Sequence, residues 1–149
     1  MNPKFCKLSP IALIFISTAL FASSSAVIVK EVLSVPRPDT LIVNVSIWPD
    51  LFGKEIPVVL DGVLIPKLNG KCSEERRLAE KALDFVKEQV KNAVNVSLHQ
   101  MKRDRFFKIR AEVFVNDHSL QEAMLKAGFA VPQKTLQPWC TANESISLD

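Results

Sequence analysis

The chain has 149 residues, a length that suits one domain of ordinary size. Its 19 lysines and arginines exceed its 16 aspartates and glutamates only slightly, and the formal net charge is +3. So small an excess excludes the domain-wide positive field that is typical of many nucleic-acid-binding proteins, and any basic surface must therefore be local.

The N-terminus has the pattern of a secretory signal peptide. Lys4 and Lys7 precede an apolar run over residues 11–21, and small residues follow that run. The run is shorter than the roughly 20 residues that a membrane-spanning helix needs. We therefore predict that residues 1–26 are a signal peptide cleaved after Ala26. An N-terminal anchor that stays uncleaved is the alternative.

Cleavage at this position leaves a mature chain of nearly balanced charge. It removes two lysines and no acid, so 17 basic residues face 16 acidic ones and the net charge becomes +1. Residues 27–140 form the predicted domain, and the polar residues 141–149 form a frayed tail. The expected location is the periplasm or the outside of the cell, with no membrane association after cleavage.

The mature chain keeps two cysteines, Cys72 and Cys140. An oxidising compartment and an even cysteine count favour a disulfide between them, and two free thiols are the alternative. A zinc site is disfavoured, because only His99 and His118 are available as histidine ligands and the spacing is not a zinc pattern. The sequence therefore indicates a cross-link between two distant segments.

Apolar patterns in the mature chain predict five strands. Strands are indicated where β-branched and apolar residues alternate with polar ones, or run continuously between turn residues. The predicted strands cover residues 27–35, 40–47, 54–65, 94–101 and 109–115, and Gly62 indicates a bend in the third.

Two helices are predicted, and each begins at a serine. Two glutamates follow Ser73, whose side chain can cap backbone N–H groups. Ser119 and Glu122 form a capping box, and Gly128 suits the end of that helix. Each helix has an apolar face that we expect to pack on the core: Leu78, Ala82, Phe85, Val86, Val90 and Ala93 on the first, and Leu120, Ala123, Met124 and Ala127 on the second.

The resulting order, β-β-β-α-β-β-α, predicts the fold class. Five strands with a helix after the third fit a small Greek-key barrel of the OB type, a β-rich α+β fold with two to three helices.

Several sequence blocks, spread over most of the mature chain, occur in the order of one known family. Residues 39–41 look like the end of a DGDTL turn, WPDLFGK at 48–54 looks like WPPLFGK, and IPVVLDGVLIPKL at 56–68 looks like IPVRIRGIDTPEL. CSEE at 72–75 looks like the start of CEKEKALA, and RDRFFK at 103–108 looks like RDKYGR. AGFA at 127–130 looks like AGLA, and Trp139-Cys140 looks like a terminal WC. The chain thus resembles the thermonuclease (staphylococcal nuclease-like) family, in its exported bacterial branch. The resemblance implies the same OB-type barrel and a paired Cys72 and Cys140.

The resemblance also implies where the family's chemistry would lie. Family members hydrolyse phosphodiesters with calcium held by two aspartates and a threonine carbonyl, a glutamate proposed as the base, and two arginines on the phosphate. Matched block by block, Asp39 keeps the first aspartate. The other positions hold Leu64 for the second aspartate, Ile65 for the threonine, Lys67 for the glutamate, Val59 and Lys108 for the arginines, and Phe106 for a tyrosine of the turn.

These replacements remove the groups that hydrolysis requires. A leucine side chain offers no oxygen to a hard cation, and a lysine reverses the charge where a proton acceptor is needed. A shifted register that brings Asp61 into the metal position is the alternative, but Gly62 and Pro66 fix the frame on both sides. Asp39 is then either a turn residue or a vestigial metal ligand, so we expect no cofactor and regard calcium binding as doubtful.

A cluster of cations and aromatic rings remains as a candidate binding surface. Residues 102–110 contain five basic residues and one acid, with Phe106 and Phe107 between them. Interleaved cations and rings are typical of single-stranded nucleic acid binding. A solvated hairpin with two core phenylalanines is the alternative. The candidate residues for nucleic acid are Lys67, Lys102, Arg103, Arg105, Phe106 and Lys108.

Two functions of different class follow from these observations. The first is a non-catalytic binding or interaction module on a nuclease scaffold, with single-stranded nucleic acid or a protein as its partner. The second is a nuclease with weak or altered activity. The replaced residues favour the first, because each departs from the family's catalytic pattern. Oligomeric state is not indicated by the sequence.

Overall fold

The computed structural model describes residues 26–136 and 139–140. The predicted signal peptide and the predicted tail at 141–149 lie outside the described residues, apart from Ala26. No helix within the described ranges combines the length and the apolarity needed to cross a lipid bilayer.

The described residues form nine strands and three helices. The strands are β1 Val27–Ile28, β2 Glu31–Arg37, β3 Thr40–Asn44, β4 Ile56–Leu60, β5 Val63–Leu64, β6 Val96–Arg103, β7 Ile109–Val115, β8 His118–Ser119 and β9 Val131–Pro132. The helices are α1 Asp50–Gly53, α2 Ser73–Lys91 and α3 Leu120–Lys126.

The main sheet has the order β1-β6-β7-β4-β3-β2, with β8 paired to β7. Neighbouring strands are antiparallel except β4 and β7, which run parallel. A second sheet pairs β5 with β9. This curled mixed sheet forms a half-barrel with three helices, which confirms the predicted OB-type α+β fold.

Three predicted strands end earlier than expected or divide, and each has a local cause. The first divides into β1 and β2 because these pair with different strands, β6 and β3. The second ends at Asn44, since the Val45 N–H donates to the Gly53 carbonyl at 2.7 Å and the chain turns into α1, where a loop was expected. The third divides at Gly62, whose φ of +80° turns the chain away from the sheet.

The core lies between the sheet, α2 and α3. The predicted apolar face of α2 is confirmed for Ala82 and Val86, which are fully buried, and for Leu78, Phe85 and Val90, which are half-buried, whereas Ala93 lies beyond the end of α2 at Lys91. On α3, Leu120 and Met124 are fully buried and Ala123 is half-buried, whereas Ala127 lies beyond the end of α3 at Lys126 and is exposed. The expected contribution of Ala127 to the core was therefore wrong.

The two helix starts differ in how they are capped. The capping box of α3 is present in part, since Ser119 Oγ accepts a hydrogen bond from the Glu122 N–H at 3.3 Å. Ser73 does not cap α2, because the helix already begins at this residue and its hydroxyl donates to Glu74. The N-cap position belongs to Cys72, which makes no side-chain capping bond.

A disulfide joins Cys72 at the start of α2 to Cys140, across a sequence separation of 68 residues. This is the pair that the even cysteine count favours. Cys72 is buried, so the cross-link is sheltered from solvent on the helix side.

We predict that the Cys72→Ser/Cys140→Ser double variant unfolds more easily than the wild type. Opening a loop of this length restores chain entropy to the unfolded state, worth about 4 kcal/mol in the free energy of unfolding. Urea denaturation of the mature protein measures the difference, and wild-type protein treated with a reductant is the matched control. Equal midpoints for oxidised wild type and the double variant would contradict the prediction.

Candidate functional site

A cleft of about 380 Å³ lies between the β2–β3 turn and the segment that follows β5. Its lining comes from Arg37, Pro38 and Asp39 on one side and from Ile65, Pro66, Lys67, Leu68 and Asn69 on the other. Two strands place these segments together, because the Leu60 N–H at the end of β4 donates to the Asp39 carbonyl at 2.9 Å. The cleft therefore contains both Asp39 and Lys67, two of the residues singled out in the sequence.

The carboxylate of Asp39 is already engaged by its neighbours. Its Oδ1 accepts a hydrogen bond from the Thr40 hydroxyl at 2.8 Å and lies 3.4 Å from the Arg37 Nε. Arg37 also donates to the Thr40 hydroxyl at 3.0 Å. Asp39 is the only carboxylate among the described residues that line the cleft, so the acid here is paired with a cation and has no second acid beside it.

The apolar replacements near the cleft belong to the packed interior. Val59 pairs with Thr40 across β3 and β4 and is only 8% exposed. Ile65 is 9% exposed, and Leu64 is half-buried in β5, opposite Val131. These side chains stabilise the fold by burying apolar surface. They offer no group that can bind a metal or a phosphate.

A buried glutamate fixes the segment that carries Lys67. Glu75 is only 4% exposed, and its two carboxylate oxygens accept hydrogen bonds from the Lys67 and Lys71 N–H groups at 3.2 and 3.1 Å. Gly70 approaches Glu75 so closely that a Cβ on Gly70 would lie 2.5 Å from the Glu75 Cδ. The loop thus depends on a glycine at 70 and a glutamate at 75.

Nothing in the sequence separates Glu75 from an ordinary acidic residue in the first turn of a helix. Its role arises from residues that precede it by four to eight positions and fold back onto it. The anchoring acts on the Lys67 backbone, and the Lys67 side chain is exposed at the rim of the cleft. Arg37, also outside the predicted set, supplies the second cation there.

Asp61 lies elsewhere and holds two cations. Its carboxylate accepts from Lys102 Nζ at 2.6 Å and from Arg110 Nε at 2.9 Å. Burial alone would raise the pKa of Asp61, but the hydrogen bonds and charges of Lys102 and Arg110 outweigh it and hold the pKa below its usual 3.8. Asp61 and Asp39 line different cavities.

The β6–β7 hairpin carries the other candidate binding residues. Arg103 and Lys108 line a depression of about 220 Å³ beside α1, together with Phe107. Arg105 lies over the Phe106 ring, with its guanidinium carbon 4.8 Å from the ring centre. Lys102 is held by Asp61, so its charge is partly compensated. The structure thus brings Arg103 and Lys108 together, and it places Lys67 in the cleft already described.

The turn of this hairpin holds a phenylalanine in a strained conformation. Phe107 has φ +61°, in the left-handed region that favours glycine and costs other residues about 1–2 kcal/mol. Asp104 keeps the turn in place, because its Oδ1 accepts from the Phe106 and Lys108 N–H groups at 2.8 and 3.0 Å. The rings of Phe106 and Phe107 are both exposed, so neither packs in the core. The alternative interpretation of the hairpin, with two core phenylalanines, is therefore wrong.

The family model described as staphylococcal nuclease homologue matches residues 57–147. The matched region is 91 residues of 149, more than half of the chain, and it includes β4, Lys67, α2 and the β6–β7 hairpin. A search of curated proteins found no match.

The Asp61 cluster generates a prediction about acid stability. Because the folded pKa of Asp61 is lowered, its contribution is complete above the ordinary value of 3.8 and is lost as the pH falls through the folded value. We expect Asp61→Asn to lower the free energy of unfolding by about 1–2 kcal/mol at pH 7. The difference from wild type should vanish in strong acid.

Urea unfolding of both proteins across the acid range provides the measurement. Asp84→Asn on the exposed side of α2 is the matched control, because it makes the same chemical change. A difference of equal size at neutral and strongly acid pH would show that the Asp61 charge is not responsible.

Proposed function

The chain belongs to the staphylococcal nuclease homologue family, and from that premise we propose that it is a catalytically degenerate member, which binds single-stranded nucleic acid and does not hydrolyse it. The observation that carries the proposal is the charge of the cleft. Two cations, Arg37 and Lys67, share a cavity of about 380 Å³ with a single acid. Such a cleft suits a phosphate ligand and does not suit a metal ion.

The calcium site that the family implies does not fit these residues. Calcium takes six to eight oxygen ligands, mostly from carboxylates and carbonyls. The Asp39 Oδ1 is engaged by Thr40 and Arg37, and the side chains of Leu64 and Ile65 provide no oxygen. An ammonium group at Lys67 further repels a divalent cation. We therefore derive no step of hydrolysis through a metal.

The only carboxylate among the described residues of the cleft that could accept a proton from an attacking water is the ion-paired Asp39. The family's proposed base falls at Lys67, and Asp39 is engaged in an ion pair 3.4 Å long. Without a base and without a metal, a bound phosphodiester meets only groups that hold its charge. The residues of the cleft therefore support binding of a phosphodiester without its hydrolysis.

Export is part of the proposal. The Cys72–Cys140 disulfide is compatible with an oxidising compartment. A protein of this kind in the periplasm or outside the cell would meet free nucleic acid from lysed cells. A protein partner is the competing ligand, and the binding measurement below separates the two.

We predict that the mature protein does not cleave DNA or RNA in a calcium-dependent manner. Loss of a general base or of a charge-stabilising donor each costs about 10²–10⁴ in rate, and several are missing at once. Purified protein is incubated with fluorescent single-stranded substrates in calcium and in a chelator. Calcium-dependent cleavage that disappears in Asp39→Ala would contradict the proposal and favour a weak nuclease.

We also predict saturable, salt-dependent binding of a labelled single strand of about 12 nucleotides, within the range of OB-fold sites. Lys67→Glu should weaken binding about tenfold at low salt, equivalent to about 1.4 kcal/mol. It should also reduce the slope of log affinity against log salt by about 0.7. Fluorescence anisotropy at several salt concentrations measures both quantities.

Lys87→Glu is the matched control, because Lys87 is exposed on α2 and the change in net charge is the same. Equal weakening in the two variants would show that only net charge matters and that the cleft is not the site. Absence of saturable binding by the wild type would overturn the proposed ligand and leave a protein partner as the alternative.

A further inference from the structure

We propose that the depression between α1 and the β6–β7 hairpin is a subsite for a base of the bound strand, with Phe107 as the stacking ring. This inference rests on the proposed function and assigns a chemical role to a second surface. The depression is lined by residues of both signs of charge and by three large exposed apolar side chains, Leu51, Phe52 and Phe107. It lies outside the cleft that holds Arg37 and Lys67.

Exposed apolar rings at this place are not explained by folding. Phe107 is 77% exposed and Phe52 is 58% exposed. The depression measures about 220 Å³, against roughly 30 Å³ for one water molecule in the liquid. A planar base can therefore enter it and contact a ring. Stacking of bases on aromatic side chains is a principal source of affinity for single strands and tolerates any sequence.

The backbone of Phe107 provides the second observation. A phenylalanine at φ +61° is strained where a glycine would be relaxed. Its turn is closed by the Phe107 N–H, which donates to the Asp104 carbonyl at 3.0 Å, and by the Asp104 side chain. The backbone of Phe107 is therefore strained although its exposed ring contributes little to the core. Strain of this kind is a signature of functional sites.

Phe107 is better placed than Phe106, the ring favoured by the sequence. The Arg105 guanidinium covers one face of Phe106 at 4.8 Å from the ring centre. Phe107 lines the depression, and Arg103 and Lys108 stand beside it. These two cations can hold the phosphates on either side of a stacked base.

A lipid surface is the alternative ligand for these exposed apolar residues, but the charges among them favour nucleic acid. Four charged residues, Lys54, Glu55, Arg103 and Lys108, share the lining with the apolar side chains. Insertion into a bilayer requires a continuous apolar face, which these charges interrupt.

The two sites lie near opposite ends of β4. Ile56 and Pro57 at its start line the depression, and Leu60 at its end bonds to the backbone of Asp39 in the cleft. Three residues of extended strand lie between Ile56 and Leu60, which places these ends about 13 Å apart. A single strand of a few nucleotides is long enough to reach from one site to the other.

The test compares stability with binding in Phe107→Gly. Relief of the left-handed strain should raise Tm by about 4 °C. The same change should weaken binding of the normal single strand roughly tenfold, since one stacked base is lost. Binding of an abasic strand of equal length should not change, because that strand has phosphates and no bases. Phe107→Tyr keeps the ring and should bind both strands as the wild type does.

Different results separate this inference from the proposed function. If the wild type binds normal and abasic strands equally, or if Phe107→Gly binds the normal strand unchanged, the stacking subsite is overturned and the phosphate cleft stands. If neither strand binds saturably, both are overturned. If Phe107→Gly loses affinity for vesicles containing phosphatidylserine and keeps its affinity for the strand, the depression is a lipid-binding surface. An unchanged Tm would remove the strain argument.

Discussion

The two pairings of β4 are the constraint on which the candidate sites depend. Its antiparallel pairing with β3 brings the β2–β3 turn to the cleft, where the Leu60 N–H donates to the Asp39 carbonyl at 2.9 Å. Its parallel pairing with β7 joins Val58 to Ile109, residues about fifty positions apart in the chain. A parallel pair cannot be made by a tight turn and requires a long crossover, here through α2. This second pairing brings the β6–β7 hairpin to the start of β4, where the depression lies.

The Asp61 cluster reinforces that pairing where β4 ends. Arg110 belongs to β7 and Lys102 to β6, so one carboxylate links three strands. Asp61 also donates its N–H to the Ala111 carbonyl at 3.0 Å, which continues the parallel ladder by one residue. The side chain and the backbone of a single residue therefore close the sheet at the point where Gly62 turns the chain away.

Elements with strong local patterns could be predicted from the sequence, and those determined by distant partners could not. The apolar stripe of α2 and the alternation in β7 depend on neighbouring residues, so their positions are recovered well. The bend at Gly62 that divides the third predicted strand is indicated locally, whereas the pairing of β5 with the distant β9 is not. The helix α1 is a single turn, too short for a periodic signal.

In the candidate sites, too, features that depend on distant residues could not be predicted from local sequence patterns. The resemblance assigns Asp39 and Lys67 to one site of the family, and both line one cleft. The sequence also groups Lys67 with the β6–β7 hairpin, whose Arg103 and Lys108 line a different cavity. The Glu75 anchor, the Asp61 ion pairs and the positive φ of Phe107 are consequences of packing and backbone geometry, which composition does not reveal. The choice between Phe106 and Phe107 as a stacking ring therefore needed the coordinates. Charge reversal at Lys67, in contrast, is visible in the sequence itself.

The anchoring of the Lys67 loop has a consequence for how this surface can change. Glu75 binds the loop through backbone N–H groups, which every residue except proline possesses. The side chain at position 67 is therefore independent of the conformation that presents it. A substitution at position 67 changes the charge at the rim of the cleft and leaves the backbone of the loop in place. A change in a single codon can therefore alter which ligand the cleft binds. The side chain at position 67 can therefore be exchanged, by natural variation or by protein engineering, while the loop keeps its conformation.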